Sequence, residues 1–239
     1  MGRAFEYRKA RKMKRWGNMA RVFTRVGREI AIAVKDGGPD AHYNPRLRVA
    51  IQNAKAANMP KANVESAIKK ASETDAKNYD EVVYEGYAPH GIALIVETAT
   101  DNSTRTVANV RHVFSKYGGA LGTSGSVEYM FARKGVFTVA KDAIGDRDEF
   151  ELAMIDAGLE EIQEEEGTLI LLCDFADYGS LSKALDEKNI EVQEAKLDRI
   201  PSHTKSLSEE EVEDVINLIE KMEDDEDVQH VYHNMDMSE

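Results

Sequence analysis

The chain is poor in cysteine, proline and tryptophan, with one, five and one in 239 residues. A lone thiol, Cys173, excludes an internal disulfide framework. Its place in the apolar run TLILLC marks it as a buried structural thiol rather than a nucleophile. No apolar run reaches the length of roughly 20 residues that spans a bilayer. The first residues lack the apolar core of a secretory signal. A transit peptide should be rich in serine, and the first serine is Ser66. These absences together predict a cytoplasmic protein.

Constellations of catalytic residues are missing as well: there is no nucleophile elbow, no zinc motif and no distinct carboxylate pair. The glycine-rich stretch Gly118–Gly125 lacks the lysine of a P-loop. It is expected to be a helix cap followed by a turn. His230 and His233 are three apart, but on a strand they point to opposite faces. Neither an enzyme, a cofactor nor a bound metal is expected.

Positive charge is scarce over most of the chain and concentrated at its front. The first 70 positions hold 17 of the 31 Lys and Arg but only five of the 44 Asp and Glu, an excess of +12 against −25 for the remainder. Nine cations crowd residues 8–28: Arg8, Lys9, Arg11, Lys12, Lys14, Arg15, Arg21, Arg25 and Arg28. Such asymmetry points to a nucleic-acid-facing arm. Each cation set on a phosphate backbone releases a condensed counterion, and the planar arginine fork grips phosphate in two places. Within one chain or between two, the same block could instead neutralise the acidic body. Arg21, Arg25 and Arg28 lie at helical spacing beside the apolar stripe, and Arg46 and Arg48 fall in a helix first turn, where free N–H groups attract anions. Those two and the nine before them form the candidate phosphate-contacting set.

The apolar pattern predicts an α+β chain. Met19, Val22, Phe23, Val26, Ile30, Ala33 and Val34 are spaced for an amphipathic helix stopped by Gly37-Gly38. Pro45 and Pro60 open two more helices, with Leu47, Ala50, Ile51 and Ala54, then Val64, Ala67, Ile68 and Ala71, facing inward. Val82–Tyr87 and Ile92–Thr98 read as paired strands, a helix carries Val107, Val110, Phe114 and Tyr117, and Ser126–Phe131 reads as a further strand. A βαββαβ unit follows, with strands at Val136–Ala140, Glu161–Gln163, Thr168–Cys173 and Val192–Leu197 and helices at Glu149–Asp156 and Leu181–Lys188. Ser208 and Glu211 make a capping box for a last helix, and Val228–His233 is a last strand. The organisation expected is a basic three-helix domain at 1–79, a discontinuous α/β domain at 80–133 plus 204–239, and a ferredoxin-like domain at 134–203 inserted into it.

Several signatures resemble the YebC/PmpR family of probable transcriptional regulators, whose mitochondrial members act in translation. They are VFTRVGREI at 22–30, NPRLRVAI at 44–51, NMP at 58–60, YEGYAPHG at 84–91, DNSTRTVANVR at 101–111, FSKYGGALGTSGSV at 114–127, MFARKG at 130–135, IPS at 200–202 and VYHN at 231–234. They run in one order across nearly the whole chain. The opening Gly2-Arg3-Ala4-Phe5-Glu6-Tyr7 departs from the family's usual Gly-His-Ser-Lys-Trp start but keeps its basic character. The resemblance implies a helical N-terminal domain, two α/β domains and a non-enzymatic nucleic-acid-binding regulator. The leading expectation is DNA-binding transcription regulation through the basic domain, with a protein partner for the acidic domains. The alternative is a translation factor on ribosomal RNA using the same surface; an enzyme with a site between the α/β domains is a remote third.

Overall fold

The computed structural model describes residues 19–73, 77–165 and 167–237. Seven α-helices and eight strands, gathered in two sheets, lie within them. The described residues divide into two compact units, one of 19–28, 77–131 and 201–237, the other of 29–73, 132–165 and 167–200. Mixed α and β structure is what the alternating periodicities demand.

The first unit carries a sheet in the order β3-β1-β2-β8, made by Ala120–Leu121, Asp80–Tyr87, Ala93–Thr100 and Val228–His233. Strands β1 and β2 are antiparallel in unbroken register from Asp80↔Thr100 to Tyr87↔Ala93, and β8 lies antiparallel on the far side of β2. Alternation along β2 sends Leu94 and Val96 to one face, where they pack with Val110 and Phe114 of α4 (Ser103–Lys116). Val215, Ile216, Ile219 and Met222 of α7 (Glu209–Glu223) complete that core. The predicted capping box is present, Ser208 and Glu211 each bonding the other's backbone, so α7 begins where the sequence signals it. Gly86 must be glycine because a Cβ there would stand 2.5 Å from the Ala120 carbonyl oxygen and 2.9 Å from the Phe114 ring.

The second unit holds the rest of α1 (Met19–Gly37) with α2 (Pro45–Ala56) and α3 (Lys61–Ala71). Its sheet runs β5-β6-β4-β7, from Leu159–Glu165, Thr168–Asp174, Phe131–Ala140 and Val192–Pro201. Helices α5 (Arg147–Ile155) and α6 (Tyr178–Glu187) alternate with these strands in βαββαβ order. Phe137, Leu171, Met154, Leu181 and Leu185 are fully or almost fully buried between helices and sheet. Cys173 is buried with them, and burial pushes its thiol up to about 11, far from the reactive range. The α1–α2 turn is fastened by Asn44, which caps α2 through the Leu47 N–H at 3.0 Å and donates to the Ala33 carbonyl at 2.6 Å.

The expected strand at Ser126–Phe131 does not form. Glu128–Met130 is a single 3-10 turn, and the strand starts at Phe131 and runs unbroken to Ala140. The N–H groups of Val127 and Glu128 are taken by the Glu85 carboxylate, each at 2.8 Å, and so cannot join a ladder. The third partner of the sheet is instead the two-residue β3, which lies in the glycine-rich stretch expected to be a turn. Phe23 is only half-buried, whereas Ile30 and Ala33 on the same helix are fully buried. Phe114→Ala should therefore cost about 3–5 kcal/mol of stability and Phe23→Ala less than about 2, measured by urea unfolding.

Candidate nucleic-acid interface

The cationic residues of the candidate set divide by position. Arg8, Lys9, Arg11, Lys12, Lys14 and Arg15 lie outside the described residues. The arginines of α1 are turned towards the C-terminal end of α7. Arg21 forms an ion pair with Asp224, which Lys221 also contacts at 2.9 Å. The Arg25 guanidinium donates to the Glu223 carbonyl at 2.6 Å. Arg28 donates to the carbonyls of Ala99 (2.8 Å) and Glu226 (2.7 Å) and to the Asp227 carboxylate (2.8 Å). Cations belong at this place because the last carbonyls of a helix are the negative end of its dipole.

Asp227 is the centre of this arrangement. Its side chain is 3% exposed, and it accepts from Arg28 and Arg105 at 2.8 Å, Thr106 at 2.8 Å and Thr100 at 3.1 Å. Burial alone would raise its pKa; bonds from Arg105, Thr106 and Arg28 outweigh that and hold it below the ordinary value. Arg105 also reaches Asp101 at 2.8 Å. Lys77 bonds Asp101 from another side at 2.9 Å, and the two cations hold its carboxyl down to about 2, the lysine contributing more.

Arg46 and Arg48 stay near the start of α2 but are engaged locally. Arg46 pairs with Asp36 at 2.5 Å, and Arg48 donates to the carbonyls of Ala41 (3.1 Å) and His42 (2.9 Å). The Arg46 pair is nearly half exposed on both sides, an arrangement worth little that an arriving phosphate can replace. Lys35, Lys69 and Lys70, outside the candidate set, are exposed and have no partner among the described residues. Their signal in the sequence was their place in the last turns of α1 and α3, off the apolar stripes. Among the described residues no group of three His, Cys, Asp or Glu could hold a metal ion, and no helix is long and apolar enough to cross a membrane.

Because the folded pKa of Asp227 is depressed, its contribution is complete above the unfolded value of about 4 and is lost as pH falls through the folded value. Asp227→Asn should cost about 3–5 kcal/mol near neutrality, since Arg28 and Arg105 would face a neutral amide. The variant should also show a flatter acid limb than the parent in denaturation between neutral and strongly acidic pH. An identical acid limb would remove Asp227 from the accounting.

The chain is similar to known proteins over almost its whole length. The TACO1/YebC N-terminal domain matches residues 3–74, and the TACO1/YebC second and third domain matches residues 79–235. A probable transcriptional regulatory protein of Porphyromonas gingivalis is 57% identical over 235 residues, covering 98% of this chain and 97% of that protein. One from Sulfurimonas denitrificans is 50% identical, over 98% of this chain and all of that protein. The crystal structure of a conserved hypothetical protein from Aquifex aeolicus is similar with a TM-score of 0.77 at 39% identity, covering 91% of this chain and 90% of that one. With both domain descriptions matched in order along almost its whole length, the chain belongs to the TACO1/YebC family.

Proposed function

We propose that the protein is a non-enzymatic, cytoplasmic transcription regulator that binds DNA through its basic N-terminal helical domain. The observation that carries this reading is the excess of +12 in the first 70 residues, set against −25 in the rest. A polyphosphate is attracted to the front of the chain and repelled by the remainder, so binding is one-sided. The name borne by its relatives supports a regulatory role.

In this reading Arg8, Lys9, Arg11, Lys12, Lys14 and Arg15 supply most phosphate contacts. Arg46, which stands in an exposed pair, and Arg48 add to them beside the first turn of α2. Arg21 and Arg25 contribute charge at the margin, while Arg28 sits largely inside the fold and acts by holding α1 in place. The domain division is the one set out from the sequence: 1–79, 80–133 with 204–239, and 134–203. The acidic domains face protein.

Replacing the six cations at 8–15 with glutamine should lower the slope of log affinity against log salt by about five for duplex DNA. An unchanged slope would take the segment out of the interface. Sedimentation of lysate through sucrose at physiological salt tests the target: migration with ribosomes rather than with nucleoid DNA would transfer the same surface to ribosomal RNA.

A further inference from the structure

Three arginines of α1 end on oxygen atoms at or just beyond the C-terminal end of α7, and their contacts differ in depth. The Arg28–Asp227 pair is sealed, with side chains 12% and 3% exposed. The Arg21–Asp224 pair lies open, 41% and 42% exposed. Between them Arg25 donates to the carbonyl of Glu223, the last residue of α7, at 2.6 Å. Spacings of four and three residues set all three on one side of α1. The row thus runs from a buried fastening at Arg28 to an exchangeable contact at Arg21.

Exposed ion pairs are worth little and weaken with salt. Asp224 is moreover held twice: one carboxylate oxygen accepts from Arg21, and the Lys221 ammonium stands 2.9 Å from the other. Departure of Arg21 would leave that carboxylate with a cation, so the arginine is released at small cost. Among the described residues Arg21 sets one nitrogen on one oxygen of Asp224, whereas a phosphate offers its fork a two-point grip. The end of α7 also repels. Residues 220–227 hold Glu220, Glu223, Asp224, Asp225, Glu226 and Asp227 against Lys221 alone. A phosphate that approaches Arg21 must enter this field and take the place of the Asp224 oxygen.

We infer that the acidic end of α7 is a built-in competitor for the phosphate-binding arginines of α1. Asp224 occupies Arg21, and the Glu223 carbonyl occupies Arg25, until phosphate displaces them. The inference rests on the proposed function and assigns a regulation to that same surface. A weak occupant of like charge to the ligand does not abolish binding; it raises the threshold. A polyanion with few contacts elsewhere is refused, and one already gripped by other cations gains Arg21 as a further contact. Arg28 stays out of the exchange, because its departure would leave the buried Asp227 with only one of its two guanidinium partners.

The test is the anisotropy of a fluorescein-labelled DNA duplex titrated with the full chain across a salt series. Asp224→Asn keeps the side-chain shape and removes the competitor. It should tighten binding about three- to fivefold at physiological salt. It should also steepen the slope of log affinity against log salt by about one, the share of one added phosphate contact. Glu226→Gln removes the same charge two residues further on, from an exposed side chain; Arg28 bonds only the backbone carbonyl there. That control should leave the slope at the parent's value. Arg21→Gln should cost more affinity in the Asp224→Asn background than in the parent, the mark of coupling between the two residues. Melting temperatures close to the parent's keep the comparison to folded protein, and Asp224→Ser repeats it should the amide disturb the helix end. A slope unchanged by Asp224→Asn, an equal gain from Glu226→Gln, or an Arg21→Gln loss equal in both backgrounds would each overturn the inference and leave the proposed function standing. A parent that binds no duplex at all would overturn both.

Discussion

The structure of the first unit depends on making one buried carboxylate tolerable. Asp227 follows α7, yet its oxygens collect groups from three other places in the chain: Arg28 from α1, Thr100 from the end of β2, and Arg105 and Thr106 from the first turn of α4. An isolated charge taken out of water costs several kcal/mol, which excellent geometry and complete hydrogen bonding must offset. Here two guanidinium groups and two hydroxyls do so, and the requirement for all four fixes how α1, β2, α4 and the α7–β8 turn meet. The Ala99 N–H, bonded to the Asp227 carbonyl at 2.8 Å, joins the same residue to the sheet through its backbone.

The same logic recurs on a smaller scale at Glu85. Its carboxylate is buried under a loop that has no strand of its own, and three backbone N–H groups replace the water it lost. Charge in this protein therefore has two roles set by depth. At the surface of α1 and α2 it is a field, screened by salt and open to exchange. Inside the first unit it is a fastener, and there the neighbours decide what a residue does.

That distinction explains what the sequence made legible. Elements announced by local chemistry were readable: the capping box of Ser208 and Glu211, the helix opened by Pro45 and the paired strands β1 and β2. The order of strands and helices at 131–201 also followed from periodicity alone. What was not legible depended on partners distant in sequence. Nothing near Glu128 says that a carboxylate more than forty residues earlier will take its N–H, so an apparent strand became a turn. Nothing near Arg28 says that it will meet Asp227, 199 residues away. A row of arginines at helical spacing looks the same in a sequence whether phosphate or carboxylate is its partner.

The span of the Arg28–Asp227 contact bears on how the molecule is made. A ribosome delivers residue 28 long before residue 227, and loop closure over such a distance is slow even in a finished chain. During synthesis the front of α1 therefore has no carboxylate and no helix end to settle on, and its arginines emerge beside a machine built largely of anionic RNA. The nascent protein is at its most cationic before its acidic remainder has been made, and these arginines can meet their partners at 223–227 only once that stretch has been synthesised.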